Sequence, residues 1–497
     1  MLSWHWLGKK RLGAEANATN FMAIWNKPES ARLEVQTLDK LASAPWRLFK
    51  TPAALSNAPV GLLRPLLDDL VQAESYLEVH GATNQPGELV FAIRLDDARA
   101  ALWQTNVPVI LKSIVASDFQ LAPVRVGGWT LLSWSDSKKA QDTKLLAEFR
   151  ARIQRDGAPY PGRATNYWVE ASVDAPGLSE ALRLGWKLPA AFPDIGLTMI
   201  GDGQNVRTRG EMNFPEPLPE LSPWRVPLNL TAEPLTGLTA VRSLTPLLQR
   251  LGVLSPEQAA QFPDQFLIWL RAGPPLQVYF AFPSENATNA FWKLAPRISD
   301  WVNSHTDAKR YGSITLDTNL SELKWSGLTL CAPFLKSGTN DSGGQYIQGG
   351  FGLSAATNVR LPRELHDHIN QGTNLLFFDW EFASETLPQW RYLDDVSRMI
   401  FDGSHASRLR GSTNTFNWLI TNVTNLSHSV TDLRQTASNQ LVLTRRSTLG
   451  VNAVELDILV NWIEMPDFPR GMSSLWRTNP APLRFVRATN AAAPKKP

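Results

Sequence analysis

Two octets with the same pattern, L-x-P-L-L-x-x-L, occur in this chain, at residues 63–70 and 244–251. Leucines spaced by three and four residues share one side of an α-helix, and such a side packs on a core. Proline is tolerated in the first turn because its missing N–H would have no intrahelical partner there. Each octet therefore predicts a short helix with a buried leucine face. The recurrence suggests that a longer unit is repeated.

The sequences that flank the two octets repeat in the same order. A Pro-Trp-Arg tripeptide precedes each octet, and an apolar strand pattern follows, at 89–93 and at 277–281. Each strand pattern leads into a predicted helix that carries a tryptophan, Trp103 or Trp292, and a later proline. Chance recurrence of common residues is the alternative. Because all of these features recur in one order, they favour an internal duplication.

The secondary-structure pattern predicts an α+β protein built from two similar modules. Strand patterns and hairpin turns follow one another, for example at 195–214 and 430–446, and helical patterns such as 144–155 lie between them. This alternation indicates mainly antiparallel or mixed sheets packed with helices. We predict a lead-in segment at 1–44, a first module at 45–219, a second module at 223–463 and a Pro/Ala-rich tail at 464–497.

Charge and cysteine content exclude several classes of protein. The 497 residues include 49 Lys and Arg against 46 Asp and Glu, a formal net charge of +3, without a long basic run. This balance argues against nucleic acid as a partner. The single cysteine, Cys331, excludes an internal disulfide and a multi-cysteine zinc site. Its apolar neighbours predict a small buried side chain.

The chain has no stretch of the roughly 18–20 apolar residues that a membrane-spanning helix needs. Near the N-terminus the basic residues Lys9, Lys10 and Arg11 follow the apolar ones, whereas a secretory signal has the opposite order. If Met1 is the true start, a cytoplasmic location is expected. If an upstream export signal is missing from the sequence, a periplasmic or envelope-associated location is expected.

Few residues have the spacing of a catalytic or metal site. His366 and His368 are the closest histidines, but their surroundings predict a helix, on which residues two apart diverge. Adjacent carboxylates at 96–97 and 394–395 suggest capping or solvated residues. The glycines at 201–203 lack the spacing of a nucleotide site and predict a hairpin turn. We therefore assign no catalytic, cofactor-binding or metal-ligating residue, and we expect no cofactor.

Tryptophan is abundant, with 19 residues, most of them in predicted strands or helices. A tryptophan supplies a large buried area together with a polar N–H, so core packing in a repeated sheet is the main expectation. The alternative is an exposed aromatic platform for sugars, or an apolar groove for a lipid or a peptide. The position of these side chains in the fold distinguishes the two.

Three segments, 226–242, 266–270 and 275–283, resemble a group of large uncharacterised bacterial proteins from domain-of-unknown-function families. The resemblance extends over most of the chain, and its motifs are packing motifs. The group has no assigned catalytic residues, so none is transferred to this chain. Its members often carry an N-terminal membrane anchor or signal, which implies an envelope location. This chain departs from the group because its sequence shows no such anchor.

The duplication and the missing catalytic motifs predict a non-catalytic binding or scaffold protein, which the resemblance associates with the bacterial cell envelope. One alternative is a protein that binds sugar or lipid in an exposed Trp-rich groove. Another is a hydrolase whose carboxylates and histidines come together only in the fold; a deep pocket with shifted pKa values would favour it. The expected partner is a protein, or an apolar or sugar ligand, at the module interface.

Overall fold

The computed structural model describes most of the chain in sixteen stretches. They are residues 1–49, 58–81, 87–114, 123–135, 143–161, 166–182, 184, 188–226, 235–259, 262–272, 277–306, 311–327, 332–339, 343–351, 362–401 and 413–472. Side chains are described throughout these stretches except at 49 and 393–401. Cys331 and the carboxylates at 394–395 therefore lie outside the described residues and side chains.

Eighteen β-strands occur in the described stretches, and all of their pairings are antiparallel. Their bounds are β1 (Leu2–Trp6), β2 (Ser75–His80), β3 (Glu88–Arg94), β4 (Val124–Val126), β5 (Trp129–Ser135), β6 (Val169–Val173), β7 (Asp194–Gly201), β8 (Val206–Asn213), β9 (Leu235–Arg242), β10 (Gln265–Arg271), β11 (Gln277–Pro283), β12 (Gly312–Asp317), β13 (Glu322–Gly327), β14 (Pro333–Thr339), β15 (Gln345–Phe351), β16 (Leu375–Phe382), β17 (His428–Ala437) and β18 (Gln440–Ser447).

These strands form one continuous sheet. From edge to edge the order is β4-β5-β3-β2-β1-β6-β7-β8-β18-β17-β16-β9-β10-β11-β15-β14-β13-β12. The strands β1–β8 form one half of the strand order, and β9–β18 form the other half. The two sets meet where β8 pairs with β18. The first strand, β1, comes from the segment 1–44 and is hydrogen bonded on both sides, to β2 and to β6.

The described helices lie between the strands and are mostly short. Their bounds are α1 (Lys9–Leu12), α2 (Thr19–Trp25), α3 (Pro28–Phe49), α4 (Val60–Gln72), α5 (Asp97–Ile114), α6 (Lys144–Asp156), α7 (Ala175–Ala181), α8 (Leu244–Arg250), α9 (Pro256–Ala259), α10 (Ala287–His305), α11 (Arg363–Gln371), α12 (Ala383–Phe401), α13 (Asn414–Asn422) and α14 (Ala453–Glu464). Several of the longer ones, α3, α4, α6 and α10, are amphipathic, and such a helix buries one side against the sheet or against another helix.

Helices pack on both faces of the sheet. Side chains alternate along a strand, and residues paired across strands share a face. On one face, α5 packs against Phe91 of β3, and α10 packs against Phe282 of β11. On the opposite face, α6 packs against Ala92 of β3, and Ile369 of α11 packs in one cluster with Phe378 of β16. The described helices α6 and α11 thus stand on the same face, on opposite sides of the β8–β18 pairing.

The observed elements confirm the predicted α+β class and its mainly antiparallel sheet. The first octet lies in α4, where Leu66 is buried. The second begins α8, but its predicted buried leucine face is wrong, because Leu244 is 39% exposed and its other leucines are half-buried. The hairpins predicted at 195–214 and 430–446 are β7–β8 and β17–β18. The helix predicted at 144–155 is α6, which ends at Gly157 with φ 73°. That left-handed conformation suits glycine at the end of a helix.

Candidate functional site

The pairing of β8 with β18 places two arginines side by side at the middle of the sheet. In the register of these strands, Arg207 lies opposite Arg446, and Arg209 lies opposite Thr444. All four side chains are exposed and share the face that carries α6 and α11. The intervening Arg445 points to the other face, where it binds Glu455. The neighbouring residues Arg445 and Arg446 therefore lie on opposite faces of the sheet.

A polar surface, here called the central polar face, extends over five adjacent strands between the helices α6 and α11. Its residues come from β6, β7, β8, β18 and β17; they are Glu170, Ser172, Thr198, Arg207, Arg209, Glu211, Thr444, Arg446, Asp432 and Arg434. Each is exposed or half-buried. The helix α11 borders this face, because His368 of α11 contacts Asp432 at 3.1 Å.

Asp202, in the turn between β7 and β8, fixes the two opposed arginines. Its Oδ1 accepts the backbone N–H of Asn205 at 2.8 Å, which closes the turn. Its Oδ2 accepts Nε of Arg207 at 3.0 Å and Nε of Arg446 at 3.1 Å. Burial raises the pKa of Asp202, but these hydrogen bonds outweigh it and lower the pKa to about 2. Asp202 is therefore an ionised acceptor shared by both guanidiniums.

The outer edges of both guanidiniums face solvent. The Arg207 side chain is 62% exposed and the Arg446 side chain is 58% exposed. Within the described residues, each of the two donates a hydrogen bond only through Nε. No described residue accepts from the Nη groups, which form the fork that binds planar oxyanions.

Two other ion pairs of the central polar face lie within single strands, and Glu170 of β6 is its remaining charged residue. Nε of Arg209 donates to Glu211 at 2.8 Å, two residues along the same strand. Nη2 of Arg434 donates to Asp432 at 2.8 Å, and Asp432 also contacts His368 of α11 at 3.1 Å. Each of these pairs balances its own charge. The trio of Arg207, Arg446 and Asp202 differs because two cations share one carboxylate.

A pair of buried carboxyls lies under the sheet on the face opposite the central polar face. Asp379 and Glu381 alternate on β16 and share that face. Asp379 accepts from Thr239 at 2.7 Å and from Asn452 at 3.2 Å. Glu381 accepts the backbone N–H of Ala453, at the start of α14, at 2.5 Å. Burial, together with the nearby Asp379, raises the pKa of Glu381 to about 7.

A small void adjoins this carboxyl pair. Its lining includes Ser429 and Ser447, which are 1% and 2% exposed. Neither serine hydroxyl has a hydrogen-bond partner among the described residues. The void measures about 10 Å³, which is about the volume that one water molecule needs. It has no room for an organic ligand, so we do not place the binding site there.

A larger cavity of about 310 Å³ opens near one end of β2 and α6. His80, Glu88, Lys144 and Glu148 lie in its wall. Nε2 of His80 contacts Oε1 of the adjacent Glu78 at 2.6 Å. Glu88 accepts the backbone N–H of Leu145 at 2.9 Å, which occupies this carboxylate at the start of α6. The wall of the cavity thus contains acidic residues and a histidine, but Glu88 and His80 already form contacts within the fold.

Glu74 is the centre of a buried polar cluster between β1, α1 and the α6 side of the sheet. It is 4% exposed and receives Nη1 of Arg11 at 2.7 Å, Tyr160 OH at 3.3 Å and a contact from His5 Nε2 at 3.2 Å. Burial raises the pKa of Glu74, but the hydrogen bond with His5 and the charge of Arg11 outweigh it and lower the pKa. The cluster is interior and joins β1 to its neighbours, so its role is structural.

Most of the candidate site residues from the sequence have structural roles in the fold. Asp96 accepts the backbone N–H of Arg99 at 2.8 Å and so caps α5, as predicted. Gly201 ends β7 and Gly203 lies in the β7–β8 turn, which confirms the predicted hairpin. His366 and His368 lie on α11, and His368 contacts Asp432. Within the described residues, no group of three or more His, Cys, Asp or Glu side chains is arranged to hold a metal ion.

The tryptophans are distributed between the core and the surface. Six of the seventeen with described side chains are buried, namely Trp46, Trp103, Trp129, Trp168, Trp269 and Trp418. Trp4 and Trp301 are exposed, at 38% and 45%, and the others are half-buried. Trp4 lies on β1 and Trp301 on α10, in opposite halves of the strand order. No tryptophan is among the residues that line the 310 Å³ cavity.

Sequence reasoning did not identify Arg207 and Arg446 as candidates. The alternation of side chains in β8 and β18 predicts that Arg207 and Arg446 face solvent if the apolar residues next to them face the core. Their proximity depends on the pairing of β8 with β18, which joins hairpins more than 200 residues apart and has no local signal. Asp202 was assigned to a turn, and its shared acceptor role appears only in the assembled sheet.

No helix among the described residues combines the length and the apolar character needed to cross a membrane. A comparison of the chain with protein-family models, with curated proteins and with solved structures found no match.

Proposed function

We propose that this protein is a non-catalytic binding protein whose ligand lies on the central polar face. The observation that carries the proposal is the strip of exposed and half-buried polar side chains between α6 and α11. At the usual spacing of strands, the strip is about 19 Å wide from β6 to β17. A surface of this width accommodates a small molecule or a short oligomer. Its charged and hydroxyl groups favour a polar ligand over a lipid.

The chemistry of the face supports binding rather than catalysis. Two of its ion pairs, Arg209 with Glu211 and Arg434 with Asp432, neutralise themselves. The remaining polar groups include Thr198 and Thr444, whose hydroxyls donate and accept. The surface is open, whereas catalytic groups act most strongly where water is excluded. The hypothesis therefore assigns recognition, and no reacting residue, to the face.

We infer further that the two sets of strands are a duplicated unit, with the binding face at their junction. Outward from β8 the order is β7, β6, β1, β2, β3 and β5, and outward from β18 it is β17, β16, β9, β10, β11 and β15. The helices α5 and α10 follow the corresponding strands β3 and β11, and α6 and α11 follow β5 and β15. This correspondence supports the two-module hypothesis. The envelope location implied by the sequence resemblance is part of the same proposal.

A screen against glycan and peptide arrays tests the function, with one variant that blocks the face. Thr444→Trp places a bulky ring at the centre of the central polar face, and Thr105→Trp places the same ring on the exposed side of α5. We expect at least one polar ligand to bind the wild type and the α5 variant, and to bind the Thr444 variant at least about tenfold more weakly. Equal binding by the two variants would refute the proposed surface.

A second candidate function is hydrolysis in the 310 Å³ cavity. The observation in its favour is the 2.6 Å contact between His80 and Glu78, because a carboxylate can orient an imidazole as a general base. An esterase and glycosidase substrate panel tests it with the wild type and His80→Ala. Turnover that His80→Ala reduces by about a hundredfold or more would establish this function. Absence of turnover in the wild type would rule it out for these substrate classes.

A further inference from the structure

We propose that Arg207, Arg446 and Asp202 form an oxyanion-binding site that holds the phosphate or carboxylate of a small polar ligand. This inference rests on the proposed function, since it gives the ligand class for the central polar face. The site is assembled from β8, β18 and the β7–β8 turn, at the junction of the two sets of strands. The main observation in favour of this site is that one oxygen, Oδ2 of Asp202, orients two guanidiniums.

The geometry fixes the direction of both guanidiniums. Because Nε of Arg207 and Nε of Arg446 bond the same oxygen, the two nitrogen atoms lie within about 6 Å of one another. Asp202 cannot move freely, since its other oxygen accepts the backbone N–H groups of Gln204 and Asn205. A guanidinium that donates through Nε presents its Nη groups on the remaining edges. Both arginines are therefore held in place with unused donors directed away from Asp202.

The turn that carries Asp202 is itself anchored to other parts of the fold. The backbone N–H of Gly203 donates to the Asn17 carbonyl at 2.8 Å, and Asn20 Nδ2 donates to the Gln204 carbonyl at 2.8 Å. Oγ of Ser427 donates to Asn205 Oδ1 at 3.2 Å. These bonds come from the N-terminal residues and from the start of β17. A site built on such a fixed turn loses little conformational entropy when it binds a ligand.

The charge balance leaves the site cationic. Two like charges placed opposite each other on paired strands repel and destabilise the pair. Asp202 compensates only one of the two positive charges, so the trio keeps a net charge of +1. A bound oxyanion would neutralise this charge and receive donors from both forks. Arginine is suited to phosphates and carboxylates because its planar fork matches two oxygen atoms at once.

The neighbouring strands indicate where the rest of the ligand lies. Across the sheet from Arg446, the same row continues through Val430 of β17 to Trp380 of β16. Two strand spacings place Trp380 about 10 Å from Arg446. The Trp380 ring stacks on His428 with centroids 5.8 Å apart, and its side chain is half-buried. A ligand with an anionic group and a planar or sugar-like part would contact both positions.

Calorimetric titration with inorganic phosphate and with citrate tests the site and separates the two oxyanion sources. We expect one of the two anions to bind the wild type. The variants Arg207→Ala and Arg446→Ala should each bind it at least about tenfold more weakly, and Arg446→Lys should be intermediate because it keeps the charge and loses the fork. Phosphate alone binding would indicate a phosphorylated ligand, and citrate alone a carboxylate ligand.

Arg155→Ala is the matched control, because Arg155 is a 72% exposed arginine on α6 that also pairs with an aspartate. It should bind the anion within about twofold of the wild type. Thermal melting of every variant establishes that each is folded. Absence of binding by both anions, or equal weakening by Arg155→Ala, would overturn the site. If the array ligand still binds in a Thr444-dependent manner in that case, the proposed function stands and only the oxyanion site fails.

Discussion

Nε of Arg446 donates to Oδ2 of Asp202 at 3.1 Å, although the two residues are 244 positions apart in the chain. This bond crosses the junction between β8 and β18, which unites the two sets of strands in one sheet. Arg207, from the strand that follows Asp202, shares the same oxygen. The two halves of the chain, which are distant in sequence, thus meet at this junction. The junction also carries the two most exposed arginines of the central polar face.

Substitution of Asp202 should weaken the junction in a pH-dependent way. The pKa of Asp202, about 2 in the fold, is below its ordinary value of 3.8. Its stabilisation is therefore present above pH 3.8 and is lost as the pH falls through 2. Asp202→Asn should lower the free energy of unfolding by about 1 kcal/mol at pH 7 and by less at pH 2. Urea denaturation at both values measures this, and an equal loss at both would contradict it.

Substitution of Glu381 should change the free energy of unfolding with the opposite pH dependence. Its pKa in the fold, about 7, is above its ordinary value of 4.5, so its contribution is complete below pH 4.5 and is lost as the pH rises through 7. Relative to the wild type, Glu381→Gln should gain on the order of 3 kcal/mol of unfolding free energy between pH 4 and pH 8. The exposed Glu285→Gln is the control. Parallel pH profiles of Glu381→Gln and the wild type would show that the carboxyl titrates normally.

Arg242 should be intolerant even of lysine. It is 3% exposed, and its guanidinium donates to the carbonyls of Leu375, Ser222, Gly372 and Thr373. Lysine keeps the charge but cannot reach four acceptors with a planar fork. We expect Arg242→Lys to lower the free energy of unfolding by about 3 kcal/mol, measured by urea denaturation. The exposed Arg297→Lys should change it little, and a similar small effect of Arg242→Lys would argue against this network.

Glu74 should be a major determinant of stability in the N-terminal strands. Its removal leaves His5 and Tyr160 without their shared acceptor in a buried site. Breaking a buried charged cluster by removing one member costs about 3 kcal/mol or more. Glu74→Ala should therefore lower the thermal midpoint far more than Glu257→Ala, an exposed substitution on α9. If the two midpoints shift equally, the cluster does not contribute to stability as its burial indicates.

Local patterns in the sequence predict many of the strands and helices. The alternating residues of β2 and β3, the leucine face of α4 and the Gly157 end of α6 all depend on near neighbours. Their structures follow because side-chain periodicity and turn chemistry act over a few residues. The predicted hairpins β7–β8 and β17–β18 form for the same reason.

Long-range pairing could not be predicted from the sequence. The strand β1 pairs with β2 and β6, and β8 pairs with β18, across long stretches of chain. Side-chain alternation assigns a face to each residue but does not choose the neighbouring strand. The shared contact of Arg207 and Arg446 with Asp202 depends on that choice, so the candidate site appears only in the fold. The same applies to the raised pKa of Glu381, which depends on burial under α14.

The most direct test of the central claim is an NMR titration of the arginine Nε–Hε signals with inorganic phosphate and then citrate. Protein labelled with ¹⁵N-arginine, and the Arg207→Lys, Arg446→Lys and Arg155→Ala variants, assign the signals of these three arginines. Because both Nε–H groups are hydrogen bonded to Asp202, we expect them to be observable before any anion is added. Saturable shifts of these two signals, with the Arg155 signal unchanged, would establish the oxyanion site. Signals of Arg207 and Arg446 that do not move with either anion would contradict it.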